Sequence, residues 1–133
     1  MTVRSLPKRL AICLALFTSL LAILACNFGS SGGISKDIAG NYDVTGTNFD
    51  GSAYKGTVVI EKSGNGYTLA WETGPTSSTG AGTLSGDTFT VRWTDGENSG
   101  DVTYTLQADG SLVGTWTADG IDGQGTETLT PRH

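Results

Sequence analysis

From Ile38 onward, apolar and polar side chains take turns along the chain. Tyr67, Leu69 and Trp71 share one parity, and Thr68, Ala70 and Glu72 share the other. Phe89, Val91 and Trp93 stand in the same relation to Thr88, Thr90 and Arg92, as do Val102, Tyr104 and Leu106 to Thr103, Thr105 and Gln107. A period of two residues marks a strand with one buried face. Thr fills the polar side because its β-branched body suits a pleated, half-exposed surface. The pattern predicts eight strands: Gly40–Gly46, Ala53–Lys62, Tyr67–Thr73, Gly80–Ser85, Thr88–Thr94, Asp101–Gln107, Ser111–Ala118 and Gly123–Thr130. No helical spacing appears in this region.

The breaks between strands are short and rich in turn residues. Residues 108–111 read ADGS, and Asp-Gly is the strongest short hairpin signal. SGDT at 85–88 and KSGNGY at 62–67 are further tight turns. Parallel strands would need crossovers of about a dozen residues or more, and no gap is long enough. The expected fold is therefore all-β, an antiparallel up-and-down meander over residues 38–133. Eight such strands can close into a barrel and so remove the exposed edges. A two-layer β-sandwich is the alternative.

An internal echo gives the meander a functional end. YTLAWETG at 67–74 is repeated as FTVRWTDG at 89–96, 22 residues on, and LVGTWTADG follows at 112–120. Each interval is two strands long, so Trp71, Trp93 and Trp116 fall near the same ends of strands that run the same way. Their parity turns them inward, and alternate strands lie about 10 Å apart along a barrel wall, close enough for large rings to meet. Two readings stay open. The indoles form core, because an eight-stranded barrel is just wide enough for its own side chains to fill it. Alternatively they line a pocket for a small apolar or flat ligand, with Tyr67 and Tyr104 from the same inward faces as further candidates. The loops at that end would be 47–52, 74–79, 95–100 and 119–122, with GPTSST as a lid.

Charge and the missing residue types remove several functions. Beyond residue 26 there are five basic residues against thirteen acids, a formal charge of −8, which repels nucleic acid. The single His is His133, so no Ser-His-Asp or Cys-His site has a base, and zinc lacks His and Cys in the body. No cofactor motif is present, and no enzyme is expected. DGENSGD at 95–101 places oxygen ligands at Asp95, Glu97, Ser99 and Asp101 like the start of a calcium loop, but its twelfth position is Leu106 instead of a bidentate Glu. A solvated hairpin turn is the competing reading of those residues.

The front of the chain is of another kind. MTVRSLPKRL is basic, and the 16 residues from Leu10 to Ala25 are almost entirely apolar. This is the layout of an export signal over residues 1–25, and it is short for a spanning helix, which needs about 20 apolar residues. Its end, Ile23-Leu24-Ala25-Cys26, resembles a bacterial lipobox. That resemblance implies a lipidated Cys26 and a lipid-anchored protein of the bacterial cell envelope facing outside the cytoplasm. Plain secretion with cleavage after Ala25 is the alternative. Residues 26–37 then form the lipidated Cys and a Gly/Ser tether. Both cysteines lie within the first 26 residues, so the body holds no disulfide framework.

Residues 40–71, GNYDVTGTNFDGSAYKGTVVIEKSGNGYTLAW, followed by GAGTLSG, VTYTLQADGSLVGTW and GTETLTP, resemble a group of small exported bacterial proteins sometimes labelled fibronectin-binding. The likeness covers nearly all of residues 40–131. It implies an interaction protein and carries over no site residue. In architecture the chain also resembles avidin-type and lipocalin-type barrels. The expectation is thus a membrane-anchored binding module whose partner is a small apolar ligand at the Trp end. The alternative is adhesion to an extracellular protein through loops and outer wall, with a filled barrel.

Overall fold

The structure is a computed structural model and describes residues 36–133. The expected signal peptide, Cys26 and most of the tether lie outside the described residues. Eight strands follow one another: β1 (Gly40–Thr47), β2 (Ala53–Ser63), β3 (Gly66–Thr73), β4 (Thr76–Ser85), β5 (Thr88–Thr94), β6 (Ser99–Leu106), β7 (Leu112–Ala118) and β8 (Gly125–Pro131). Each pairs antiparallel with its sequence neighbours, and β1 pairs with β8, from Tyr42↔Pro131 to Thr47↔Thr126, which closes the barrel. The sandwich alternative is thereby excluded.

Closure follows from local chemistry. The two DGS segments build the same turn. Asp109 Oδ1 accepts from the Ser111 backbone N–H at 2.9 Å and its hydroxyl at 2.6 Å, and Asp50 Oδ1 accepts the same pair from Ser52 at 2.9 and 2.6 Å. An Asp carboxylate that bonds its own chain two residues on mimics a backbone turn. The Gly between them takes the left-handed φ that other residues avoid, +89° at Gly110.

One connection differs from expectation. Residues 76–79, read as part of a long lid loop, belong to β4, and only Gly74 and Pro75 join β3 to β4. Gly74 at φ +69° allows the tight reversal. The stretch shows no apolar alternation because its inward residues, Ser78, Gly80 and Gly82, are small. They stand opposite Trp71, Leu69 and Tyr67 on β3, and small residues there leave room for large ones. A Cβ on Gly80 would come within 3.0 Å of the Trp71 ring.

The inward positions form one core. Val44, Val58, Ile60, Leu69, Phe89, Val91, Val102, Tyr104, Leu112 and Leu129 are buried. Odd strands run toward the Trp end, so the chain enters β1 at the opposite, far end. There Ile38 is buried, and its carbonyl accepts from the buried Tyr42 hydroxyl at 2.7 Å. The Phe89 ring stacks on Tyr104 at 6.0 Å and meets the edge of Tyr67 at 5.7 Å. The outer wall is Thr-rich. It carries one polar cluster, in which Arg92 pairs with Asp101 at 3.1 Å and with Asp119, while Ser99 donates to Asp119 at 3.1 Å.

Candidate functional site: an aromatic cavity around a buried carboxylate

The three tryptophans meet at one end, as their phase requires. Trp93 and Trp116 pack edge to face, with ring centroids 5.9 Å apart. Trp116 also touches Phe49 at 4.6 Å and Tyr54 at 6.4 Å. Trp71 lies deeper and is only 5% exposed. The indoles do not fill the end. A cavity of about 320 Å³ remains, with Tyr54, Trp71, Trp93 and Trp116 in its wall. Thr73, Thr76 and Ser78 supply hydroxyls to the lining, and Asn48 and Asp95 stand in it from the loops of the Trp end. Asn48 is held by its own amide, which donates to Ser52 Oγ at 3.0 Å.

Sequence reasoning missed the residue at the centre of this cavity. Glu127 on β8 is 7% exposed and lines it, the one carboxylate among the buried side chains of the described residues. Its Oε1 accepts from the Trp71 indole N–H at 3.0 Å and from the Tyr104 hydroxyl. Its Oε2 accepts from the Tyr54 hydroxyl at 2.7 Å. Burial raises the Glu127 pKa above its ordinary value, and the three donors pull against that rise. Burial first, and then the nearby Glu127 charge, raise the pKa values of Tyr54 and Tyr104, so both hydroxyls stay protonated donors. Parity could have found Glu127, since it shares its face with Leu129, the apolar residue of GTETLTP. Tyr54 was legible in the same way, in phase with Val58 and Ile60.

The other sequence candidates divide. Tyr104 is fully buried and reaches the site only through its hydroxyl, as a support for Glu127. Tyr67 does not line the cavity, which corrects its grouping with the indoles. It sits at the start of β3, about 13 Å along the strand from Trp71, beside Phe89 and under the Lys62 ammonium at 5.1 Å. Asp95 is tied into its own turn. Its Oδ1 accepts the backbone N–H groups of Glu97 at 2.9 Å and Asn98 at 2.7 Å, and these bonds hold its pKa below the ordinary value. Asp101, the other end of that motif, points to the outer wall and Arg92. No group of three or more His, Cys, Asp or Glu side chains fit to hold a metal ion occurs among the described residues.

Two of the three indole N–H groups are committed elsewhere. Trp71 spends its on Glu127, and Trp93 donates to the Thr117 carbonyl at 3.1 Å. The Trp116 N–H is buried without an acceptor and lies over Gly125. A Cβ on Gly125 would collide with that indole and with the Thr47 carbonyl. Gly125→Ala is accordingly expected to push Trp116 out of place. The cost should be about 1–3 kcal/mol, the usual penalty of overpacking. Urea unfolding followed by tryptophan emission would read both the loss of stability and the changed surroundings of the indole.

Fold and site together define a closed eight-stranded antiparallel β-barrel with an aromatic, carboxylate-bearing cavity at one end. Two solved structures share its architecture. A redesigned β-barrel, b11L5F_LGL, is 23% identical with a TM-score of 0.62, over 72% of this chain and 92% of that one. A second redesigned β-barrel, mFAP1, bound to DFHBI, is 22% identical with a TM-score of 0.61, over 70% of this chain and 94% of that one. At this identity the likeness speaks to the fold. No protein-family model matches the chain, and neither does any curated protein.

Proposed function

We propose that this protein is a binding module that takes a small flat ligand into the cavity at the Trp end. The cavity itself is the observation that carries this reading. At about 320 Å³ it stands at the small end of the roughly 300–1,000 Å³ typical of ligand clefts. Its wall joins four aromatic rings to polar groups that can orient a ligand, the Glu127 and Asp95 carboxylates among them. Its floor is fixed by three hydrogen bonds to one carboxylate, so it is organised before any ligand arrives, which lowers the cost of binding. One similar barrel, mFAP1, is bound to a small molecule, DFHBI. Glu127 has no second buried carboxylate to share proton transfer among the described residues, which favours recognition over acid–base catalysis.

The basic and apolar front of the chain supports an export signal, and the lipobox-like ILAC supports a lipid anchor at Cys26 on the bacterial envelope. Mass spectrometry of the mature chain tests the anchor, and an unmodified N-terminus refutes it. For the cavity, a panel of flat one- and two-ring compounds is expected to quench or shift tryptophan emission saturably. The loss should be strongest in Trp93→Leu, at the mouth. An emission spectrum unmoved by the whole panel would refute the pocket.

A further inference from the structure

The cavity holds a carboxylate that no cation in its lining balances. Glu127 is buried among rings and takes its hydrogen bonds from neutral donors only, Trp71, Tyr54 and Tyr104. The second acid in the wall, Asp95, is fixed as a carboxylate by the backbone of its own turn. No Lys, Arg or His lines the cavity. The nearby cation, Arg92, is committed on the outer wall to Asp101 and Asp119. Lys62 lies over Tyr67 in the other half of the barrel, and Arg132 pairs with Asp43 at 3.2 Å. A buried charge is costly unless it is paired as well as hydrogen-bonded.

Two further features say what would pair it. A carboxylate has about four lone-pair sites, and three are taken. Oε1 holds two donors and Oε2 one, so the free site is on Oε2, the oxygen shared with Tyr54. Trp71 and Trp93 spend their N–H groups on Glu127 and on the wall, so these rings offer the cavity electron-rich carbon surface. Aromatic faces attract cations, most strongly where water is excluded. The geometry points to a small, flat organic cation with an N–H donor, an amidinium or aryl-ammonium, as the ligand class of this cavity. Its rings lie against Trp93 and Trp116, and its N–H meets Glu127 Oε2. Carboxylate ligands are repelled by Glu127 and Asp95. This specifies the chemistry of the binding site proposed above and rests on it.

An isosteric series separates the two. Benzamidinium, benzamide and benzoate share size and ring but carry positive, zero and negative charge. The full chain is titrated with each at neutral pH and equal ionic strength, with calorimetry and tryptophan emission as readouts. Benzamidinium is expected to bind at least about tenfold more tightly than benzamide, and benzoate most weakly. In Glu127→Gln the advantage of benzamidinium over benzamide should shrink to about threefold or less, because a neutral amide keeps the shape and loses the charge. If that variant fails to fold, Trp93→Leu serves instead, and there benzamidinium should lose more affinity than benzamide does. Benzamide binding as tightly as benzamidinium to the wild-type chain, or benzoate binding more tightly, would overturn the cation assignment while the pocket stands. Failure of all three, and of neutral flat compounds generally, would remove the pocket and this assignment with it.

Discussion

Glu127→Ala should cost the barrel about 3–5 kcal/mol. Truncation removes one carboxylate and strands two buried donors, the Trp71 N–H and the Tyr104 hydroxyl, with the half-buried Tyr54 hydroxyl beside them. Each donor left without a partner costs about 1–3 kcal/mol, and relaxation or entering water recovers part of the sum. Glu127→Gln should cost less, since the amide oxygen still accepts, and it allows a test by pH. The Glu127 pKa is raised in the folded state, chiefly by burial, so folding favours its protonated form. The stability that this contributes is fully present below the ordinary carboxylate pKa and is lost as pH rises through the raised one. The wild-type chain should therefore lose stability relative to Glu127→Gln as pH climbs from the ordinary carboxylate range toward neutrality. Urea unfolding of both proteins across that range would check the sign. A gap that widened in favour of the wild type on raising the pH would mean that the donors outweigh burial.

Phe89→Ala is expected to be of similar size, about 3–5 kcal/mol, for a different reason. Phe89 is fully buried, stacked on Tyr104 and edge-on to Tyr67, within the single core of the barrel. Truncation opens a void in a closed cylinder whose wall strands are tied on both sides and collapse little. For a domain of about 100 residues, each kcal/mol shifts Tm by about 4–8 °C, so the midpoint should fall by more than about 10 °C. Phe89→Leu, which keeps most of the volume, should cost less than about 1.5 kcal/mol. Because Phe89 does not line the cavity, the folded variant should still answer to flat ligands. Differential scanning calorimetry with and without benzamidinium would separate the two effects.

Both variants show where the sequence was readable. Alternation located most strands, because most of the barrel has one dry face and one wet face. It also placed the indoles, since Trp71, Trp93 and Trp116 recur two strands apart on strands of one direction. It failed where the inward face is not apolar. The first half of β4 looked like loop because Ser78 and Gly80 give way to the tryptophans across from them. Glu127 was not singled out because a carboxylate in a Thr-rich strand is ordinarily wet. Its neighbours from β2, β3 and β6 are far apart in sequence, and only closure brings Tyr54, Trp71 and Tyr104 onto it. Tyr67 was misplaced for a simpler reason: parity tells which face a residue takes, and distance along the strand tells which end it serves.

The pairing of β1 with β8 has a consequence for engineering. Tyr42 stands beside Pro131, and the Arg132 N–H donates to the Asn41 carbonyl at 2.9 Å, so the first and last strands are ordinary neighbours in a ring. Such a ring has no privileged starting strand. A circular permutant that links residue 132 to residue 37 by a few glycines, keeping the buried Ile38, and opens at Gly64-Asn65 should fold to the same cylinder. New ends at 64 and 65 would still lie opposite the indoles, leaving the mouth free for a reporter group to be placed by choice at either pole.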